Sequence, residues 1–227
     1  MKFHFSRQSL ILIAAAAVFF AVAVFFWRQQ PGGSGNLAAV EIKDYQGEKL
    51  SSVGDFRENS IKGPQNIDIG NYQMKISGLV KNPADYSYGE ILSQFAARKK
   101  VVALDCVEGW SVKILWEGFL VRDLLRRAEV LPEAKTVIFR ASDGYATSFP
   151  LGYFYDNDII IAYKMNGIAI PPERGYPLML VAESKWGYKW IKWITEIELS
   201  ADEDYRGYWE KRGYSNSGDL SKPFLED

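Results

Sequence analysis

The chain has one cysteine, Cys106, and one histidine, His4, among its 227 residues. A single cysteine excludes an intramolecular disulfide bond and any metal site that needs two thiolates from one chain. His4 precedes a long apolar segment, so the residues after that segment contain no histidine for a catalytic triad, a zinc site or a haem ligand. The fold must therefore depend on its hydrophobic core, and 48% hydrophobic residues are enough for one sizeable domain.

The apolar segment is Leu10–Trp27, 18 consecutive residues without a charge. As a helix it would be about 27 Å long, which roughly matches the hydrocarbon core of a membrane. Lys2 and Arg7 precede it and Arg28 follows, so the positive-inside rule favours a cytoplasmic N-terminus and an extracytoplasmic domain. The predicted organisation of this single-pass protein of the cell membrane is a cytoplasmic N-terminus (1–9), a transmembrane anchor (10–27), a flexible linker (28–40) and one folded domain (41–227).

Two alternatives for the N-terminus stay open. A cleaved signal peptide would have a shorter apolar region that ends in small residues. The segment ends instead in Phe25-Phe26-Trp27-Arg28, which suits cleavage poorly, and a cut among the earlier alanines is the alternative position. Ser6–Ile11 resembles a twin-arginine export signal in which glutamine replaces the second arginine, and it equally suits the ordinary flank of a membrane helix.

Alternating apolar and polar residues predict two half-buried strands in the domain. The first contains Tyr72, Met74 and Ile76, and the second runs from Ile191 to Leu199. Asp143-Gly144 is a predicted hairpin turn. Further strands are predicted at 101–104, 136–140, 145–149 and 159–163.

Two helices are predicted between these strands. Ser87-Tyr88-Gly89-Glu90 is a capping box that opens a helix through about Ala97, and 119–130 carries apolar residues at helical spacing before Pro132. Many short strands with few short helices favour an α+β domain built on a mixed sheet or barrel. No βαβ repetition or glycine-rich fingerprint indicates a nucleotide-binding fold, and a net charge of -1 does not favour a nucleic-acid partner.

Cys106 lies where a predicted strand ends and the sequence turns polar, with Asp105 before it and Glu108 and Gly109 after it. A lone cysteine after an apolar strand is often only a small buried hydrophobe. Strand ends are also common places for binding sites, and an unpaired thiol outside the cytoplasm is open to oxidation unless a metal or substrate occupies it. Soft thiolates prefer soft metals, and molybdenum held by the dithiolene of a pterin needs only one protein sulfur.

Five segments carry a resemblance to a known family. They are Phe56–Ile61; Ile76–Val80 before the Asn82-Pro83 turn; Cys106–Ser111 with Trp116–Gly118; Gly175–Leu178 with Gly187–Lys189 and Ile191–Trp193; and Gly207–Tyr214. In this order they resemble the oxidoreductase molybdopterin-binding domain of the sulfite oxidase family. The resemblance is strongest to small prokaryotic, membrane-anchored members, such as the catalytic subunits of periplasmic methionine sulfoxide reductases. It implies the sulfite oxidase-type molybdopterin-binding fold.

The resemblance also implies a molybdenum-molybdopterin cofactor, with Cys106 as the catalytic residue and its thiolate as a ligand of the metal. Oxygen-atom transfer would then take place at molybdenum, since related enzymes oxidise sulfite or reduce sulfoxides, including methionine sulfoxide in exported proteins. The substrate would be a small oxyanion or a sulfoxide. Electrons would pass to a separate partner, either a membrane-bound or soluble cytochrome or a quinone-linked subunit.

Contacts to this cofactor carry over from the family onto the matching positions of the chain. A phosphate group prefers Arg or Lys donors, and the second half of the domain supplies several. For each lysine, a solvated surface charge is the alternative. The implied cofactor-binding residues are Asn59, Lys62, Ser142, Asp143, Arg174, Lys189, Ile191 and Lys192.

The chain departs from the family pattern at two positions. Met179 stands where relatives commonly have an arginine, and Glu183 replaces a common proline. Loss of the arginine removes a contact for an anion, which puts sulfite oxidation in doubt because a dianion would need strong cationic recognition.

Two other functional classes can be compared with a molybdenum enzyme. A metal-free binding module tethered to the membrane could keep the same fold, and Met179 and Glu183 leave room for it. A thiol-dependent hydrolase is excluded because the domain has no histidine to act as its base.

Overall fold

The computed structural model describes residues 40–226. Its strands are β1 (Asp44–Tyr45), β2 (Glu48–Lys49), β3 (Gln73–Gly78), β4 (Ala84–Ser87), β5 (Arg98–Asp105), β6 (Ser111–Leu120), β7 (Thr136–Ala141), β8 (Ala146–Pro150), β9 (Ile160–Met165), β10 (Ile168–Ala169), β11 (Met179–Val181) and β12 (Ile194–Ser200). Its α-helices are α1 (Tyr88–Gln94), α2 (Val121–Ala128) and α3 (Gly152–Asp156). Single 3₁₀ turns occur at Val53–Asp55, Pro172–Arg174, Gly187–Lys189 and Glu210–Arg212.

Most strands belong to two five-stranded sheets. The first has the order β10-β9-β6-β5, with β11 also paired to β9, and all its pairs are antiparallel. The second has the order β4-β3-β12-β7-β8, and β12 runs parallel to β3 but antiparallel to β7. The second sheet is therefore mixed, and the predicted α+β class with a mixed sheet is confirmed.

The local patterns with the clearest periodicity are confirmed. In β3, Met74 and Ile76 are fully buried, while their neighbours face outward. Helix α1 has the predicted capping box, since Ser87 Oγ accepts from the Glu90 N–H and Glu90 Oε2 accepts from the Ser87 N–H at 2.8 Å. The helix ends at Gln94, earlier than predicted, because Phe95 takes an extended conformation and its ring packs into the core.

Strand β6 was not predicted, and its end was assigned to a helix. Phe119 and Leu120 lie in β6, so α2 begins only at Val121. Because β6 is flanked by β5 and β9 and covered on both faces, Ile114, Leu115 and Trp116 are all buried. Such a strand lacks the alternation that identifies a half-buried one.

Strand β12 begins at Ile194, three residues later than predicted. Trp193 has a left-handed φ of +56°, and the pairing with β7 shifts register between Ile194 and Glu196. The alternation from Ile191 to Trp193 was therefore wrongly attributed to the strand, and these residues form a loop that contributes to the cavity described below.

Replacement of Gly118 by alanine is expected to destabilise the fold. A Cβ there would lie 2.0 Å from Ile161 O and 2.6 Å from Ala162 Cα, both backbone atoms of the neighbouring strand. Overpacking of this kind costs about 1–3 kcal/mol or more. Urea denaturation of Gly118→Ala should show this loss, whereas Gly89→Ala, with open space around the new methyl group, should be at least as stable as the wild type. Equal stability of the two variants would contradict the close packing of β6 on β9.

The predicted N-terminus (1–9), anchor (10–27) and nearly all of the linker (28–40) lie outside the described residues. Within residues 40–226, no helix is both long enough and apolar enough to span a membrane.

Candidate functional site

Cys106 lies in a tight loop that joins β5 to β6. Its N–H donates to Trp110 O at 2.9 Å, and its carbonyl accepts from the Gly109 N–H at 3.0 Å. Gly109 has a φ of +82°, in the left-handed region that favours glycine. The two paired strands thus fix the thiol at the end of the first sheet, where the sequence predicted a polar turn.

The Cys106 side chain is 9% exposed, and Asn59 Nδ2 lies 3.8 Å from its sulfur. Burial raises the pKa of the Cys106 thiol, and the charge of Glu108 adds to this, while hydrogen bonds from the Glu108 backbone and Asn59 act in the opposite direction. The net rise leaves the free thiol protonated at neutral pH. A metal ion bound there would displace the proton, since thiol ligands coordinate as thiolates.

A cavity of about 280 Å³ opens beside Cys106. The buried residues of its wall are Leu104, Cys106, Asp143, Met179, Tyr188, Trp190, Ile191 and Trp193, so the wall is mostly apolar with one buried carboxylate. Arg57, Asn59 and Glu108 line the same cavity but are exposed, so they mark its mouth. A mostly apolar wall with a few polar groups is the usual form of a cofactor or ligand site.

Two cations lie together in the cavity wall, Arg174 and Lys192. Arg174 Nη2 donates to Phe56 O at 2.9 Å, but its Nε is buried without a hydrogen-bond partner in the part of the chain that the structure describes. Lys192 Nζ lies 2.9 Å from Glu58 Oε1, and burial lowers the pKa of this lysine although Glu58 opposes the shift. The open donor of Arg174 suits an anionic ligand, because a buried unpaired N–H group is costly.

Asp143 reaches the cavity from the turn between β7 and β8. Its side chain is 2% exposed and accepts from the Tyr145 N–H at 2.9 Å. The Tyr145 hydroxyl in turn donates to the carbonyl oxygen of Tyr188. Ser142 is exposed and does not line the cavity, although its N–H donates to Trp193 O at 3.1 Å. The turn is therefore attached to two of the buried residues of the wall.

Lys189 does not reach the cavity, although both of its neighbours do. Its side chain is fully buried and donates to Ser148 O at 2.7 Å, Glu210 Oε1 at 2.7 Å and Asn216 O at 3.0 Å. With its ammonium group turned away from the cavity, this placement gives no support to the predicted phosphate contact of Lys189.

The structure brings most of the predicted site residues to one cavity. Those that line it are Cys106, Asn59, Asp143, Arg174, Ile191 and Lys192, whereas Lys62, Ser142 and Lys189 do not. Their individual roles stay predictions. Lys62 Nζ lies near the Asp143–Gly144 turn, 3.4 Å from the position that a Cβ on Gly144 would occupy.

Other residues at the cavity were not selected from the sequence. They include Phe56, Arg57, Glu108, Trp110, Tyr145 and Trp190. Phe56, Glu108 and Trp110 belong to the family-like motifs, so the motifs themselves were the available signal. Within residues 40–226, no group of three or more His, Cys, Asp or Glu side chains is arranged to hold a metal ion. Cys106 supplies one thiol to the cavity, and a soft metal would prefer such a sulfur ligand.

Comparison with known proteins supports this interpretation. The protein-family model described as oxidoreductase molybdopterin binding domain matches residues 61–209. The chain is 32% identical over 157 residues to the uncharacterized oxidoreductase YuiH of Bacillus subtilis, which covers 69% of this chain and 78% of that protein. It is 28% identical to the protein-methionine-sulfoxide reductase catalytic subunit MsrP of Campylobacter jejuni, over 71% of this chain and 60% of that one.

Two further matches cover just over half of the other protein's length. The putative protein-methionine-sulfoxide reductase subunit YedZ1 of Azospira oryzae is 29% identical, over 66% of this chain and 56% of its own length. The sulfane dehydrogenase SoxCD of Paracoccus pantotrophus aligns with a TM-score of 0.62 at 20% identity, over 76% of this chain and 54% of that chain, which shows a shared fold. The match to the family model covers more than half of the chain, and the resemblance seen in the motifs is confirmed: the chain belongs to the molybdopterin-binding oxidoreductase family.

Proposed function

We propose that the chain binds a molybdenum-pterin cofactor in the Cys106 cavity and catalyses oxygen-atom transfer, reducing a sulfoxide. The observation that carries the proposal is the position of the Cys106 thiol in the wall of a cavity that also contains Arg174 and Lys192. A soft thiolate and two cations match the two ends of such a cofactor, a metal and an anionic phosphate group.

Different residues of the cavity would hold different parts of the cofactor. The Cys106 sulfur would bind the metal, and Asn59, 3.8 Å away, would stabilise the thiolate by donating a hydrogen bond. Arg174 has an open donor for an anionic group, and Lys192 adds a second positive charge. The buried residues of the wall would exclude water from the cofactor. When bound, the cofactor supplies a metal centre that accepts or donates an oxygen atom.

A sulfoxide fits the cavity better than sulfite does. Met179 places a buried apolar side chain in the wall, and the Glu58 carboxylate partly neutralises Lys192. The exposed Glu108 adds a negative charge at the mouth, two residues from Cys106. The exposed Arg57 at the same mouth offsets the charge of Glu108, so the preference for an uncharged sulfoxide rests on the apolar Met179 and on the partly neutralised Lys192. Two of the relatives are named as protein-methionine-sulfoxide reductase subunits, which agrees with this choice.

We further infer that the domain is tethered on the extracytoplasmic side of the cell membrane and exchanges electrons with a separate partner. The support comes from the sequence, in the uncharged segment Leu10–Trp27 and the basic residues before it. The domain also lacks the histidines of a haem site, so a cytochrome or a quinone-linked subunit would have to supply electrons.

Turnover by the cofactor-loaded protein tests the proposed reaction. With a reduced viologen as electron donor, we expect reduction of methyl aryl sulfoxides and of N-acetylmethionine sulfoxide. With ferricyanide as acceptor, we expect sulfite oxidation to be at least tenfold less efficient in kcat/KM, about 1.4 kcal/mol of discrimination. Efficient sulfite oxidation would overturn the choice of substrate. A folded protein without molybdenum from a host that makes the cofactor would instead favour the metal-free binding module.

A further inference from the structure

Two aromatic rings lie at the cavity mouth, Phe56 and Trp110. Both side chains line the cavity and are partly buried against the core, between the exposed residues of the mouth and the buried residues of the wall. A large cofactor would occupy the buried part, so a substrate that reaches the metal has to pass the residues at the mouth. The chemistry of these two rings therefore bears on which substrate can approach Cys106.

Trp110 is fixed beside the thiol. Its carbonyl accepts from the Cys106 N–H at 2.9 Å, directly across the loop. Its indole N–H donates to Glu108 Oε2 at 3.0 Å. With the only polar atom of its side chain paired in this way, Trp110 presents aromatic surface to the cavity and offers no hydrogen bond to a ligand.

The ring of Phe56 packs against the ring of Trp110. The two ring centroids are 6.1 Å apart with an interplanar angle of 64°, and a second edge contact joins Phe56 to the buried Trp116 at 6.3 Å. The guanidinium of Arg174 lies 5.3 Å from the Phe56 ring centroid and donates to its carbonyl. Neighbours on both sides thus hold the Phe56 ring in place, which lowers the entropy cost of binding against it.

We propose that Phe56 and Trp110 form the substrate subsite and select an uncharged methyl sulfoxide group over an oxyanion. The inference rests on the proposed function and extends it to the residues that determine specificity. A sulfur atom and its methyl group are polarizable and pack favourably against aromatic rings, whereas a doubly charged oxyanion would lose hydration and gain no hydrogen bond from them. Glu108 fixes the indole ring of Trp110 by accepting its N–H.

Steady-state kinetics of cofactor-loaded variants test the subsite. For Trp110→Ala and Phe56→Ala we expect the KM for methyl p-tolyl sulfoxide to rise about tenfold to a hundredfold, the effect of losing one buried aromatic contact. The kcat should change less than KM, and Trp110→Phe should restore most of the affinity. Phe224→Ala is the matched control, because Phe224 is also half-buried and stacks edge-on with Trp186 at 5.8 Å but does not line the cavity.

Two further measurements separate the subsite from the fold and from the reaction. The molybdenum content of each variant should equal that of the wild type, which shows that the cavity is intact. The dissociation constant of the same sulfoxide, measured by tryptophan fluorescence quenching, should rise in parallel with KM. An unchanged KM and dissociation constant in both alanine variants would overturn the subsite while leaving the reaction standing. A wild type without sulfoxide turnover would overturn the proposed reaction, and the fluorescence measurement would still decide the subsite.

Discussion

Glu210→Gln is expected to destabilise the folded protein by about 3–5 kcal/mol, because it leaves the ammonium group of Lys189 buried without a counter-charge. The side chains of both residues are fully buried, and Lys189 Nζ lies 2.7 Å from Glu210 Oε1. Thr147 Oγ1 donates to the same carboxylate oxygen at 2.6 Å. Removal of one member of a buried pair costs far more than removal of both.

The dependence of this loss on pH identifies its cause. Burial lowers the pKa of Lys189, and the Glu210 carboxylate opposes the shift, so its removal should lower that pKa further. Between the lowered pKa of the folded state and the unfolded value of about 10.4, the unfolded chain binds more protons and stability rises with pH. The gap between Glu210→Gln and the wild type should therefore shrink as the pH is raised from about 7 to about 9.5.

Denaturant unfolding with two comparison variants makes the test specific. The double variant Lys189→Met with Glu210→Gln should recover much of the stability, since no charge is left buried. Glu41→Gln is the matched control, because Glu41 is a buried carboxylate whose donors among residues 40–226 are the neutral groups Ser52 Oγ, Val53 N–H and Asn166 Nδ2. The loss of stability in Glu41→Gln should not shrink as the pH is raised. A pH-independent loss in Glu210→Gln would show that packing, and not the buried charge, is responsible.

Cys106→Ser is expected to abolish sulfoxide turnover in the cofactor-loaded protein while the fold stays intact. The variant keeps the size of the side chain and leaves Asn59 Nδ2 near the new hydroxyl. A serine hydroxyl is a much harder and less acidic ligand than a thiol, so the metal would lose its one protein sulfur. Activity should fall by more than the roughly 10–100-fold that loss of an outer-shell partner costs.

Asn59→Ala supplies that reference, because Asn59 contacts the sulfur without being a candidate metal ligand. We expect its activity to fall no further than about a hundredfold. Thermal unfolding of the cofactor-free proteins should give the same midpoint for Cys106→Ser and the wild type within a few degrees. Turnover by Cys106→Ser at the rate of Asn59→Ala would exclude a ligand role for Cys106.

The sequence predicted the parts of the fold that have a strong local pattern. Strand β3 alternates because only one of its faces is buried, and α1 begins at a capping box between neighbouring residues. Strand β6 escaped prediction because burial on both faces removes the alternation. Tertiary contacts also determine where β12 begins, because Ile191 and Trp193 line the cavity and lie outside the pairing of β12 with β3 and β7.

The sequence predicted the position of Cys106 in the site better than it predicted which of the surrounding lysines reach the cavity. Cys106 stands in a family-like motif and Arg174 directly precedes another, and the structure brings them to one cavity. Lys189 and Lys192 are lysines three residues apart in the same motif, so the sequence does not distinguish them. Only Lys192 lines the cavity. The partner that draws Lys189 away is Glu210, and no local pattern in the sequence links the two.

X-ray absorption at the molybdenum edge tests the central claim most directly, because it counts the sulfur atoms bound to the metal. The pterin dithiolene provides two sulfurs, so the wild-type protein should show three and Cys106→Ser should show two. An equal sulfur count in the two proteins would contradict the assignment of Cys106 as the metal ligand, and a wild type that takes up no molybdenum would contradict the proposed function as a whole.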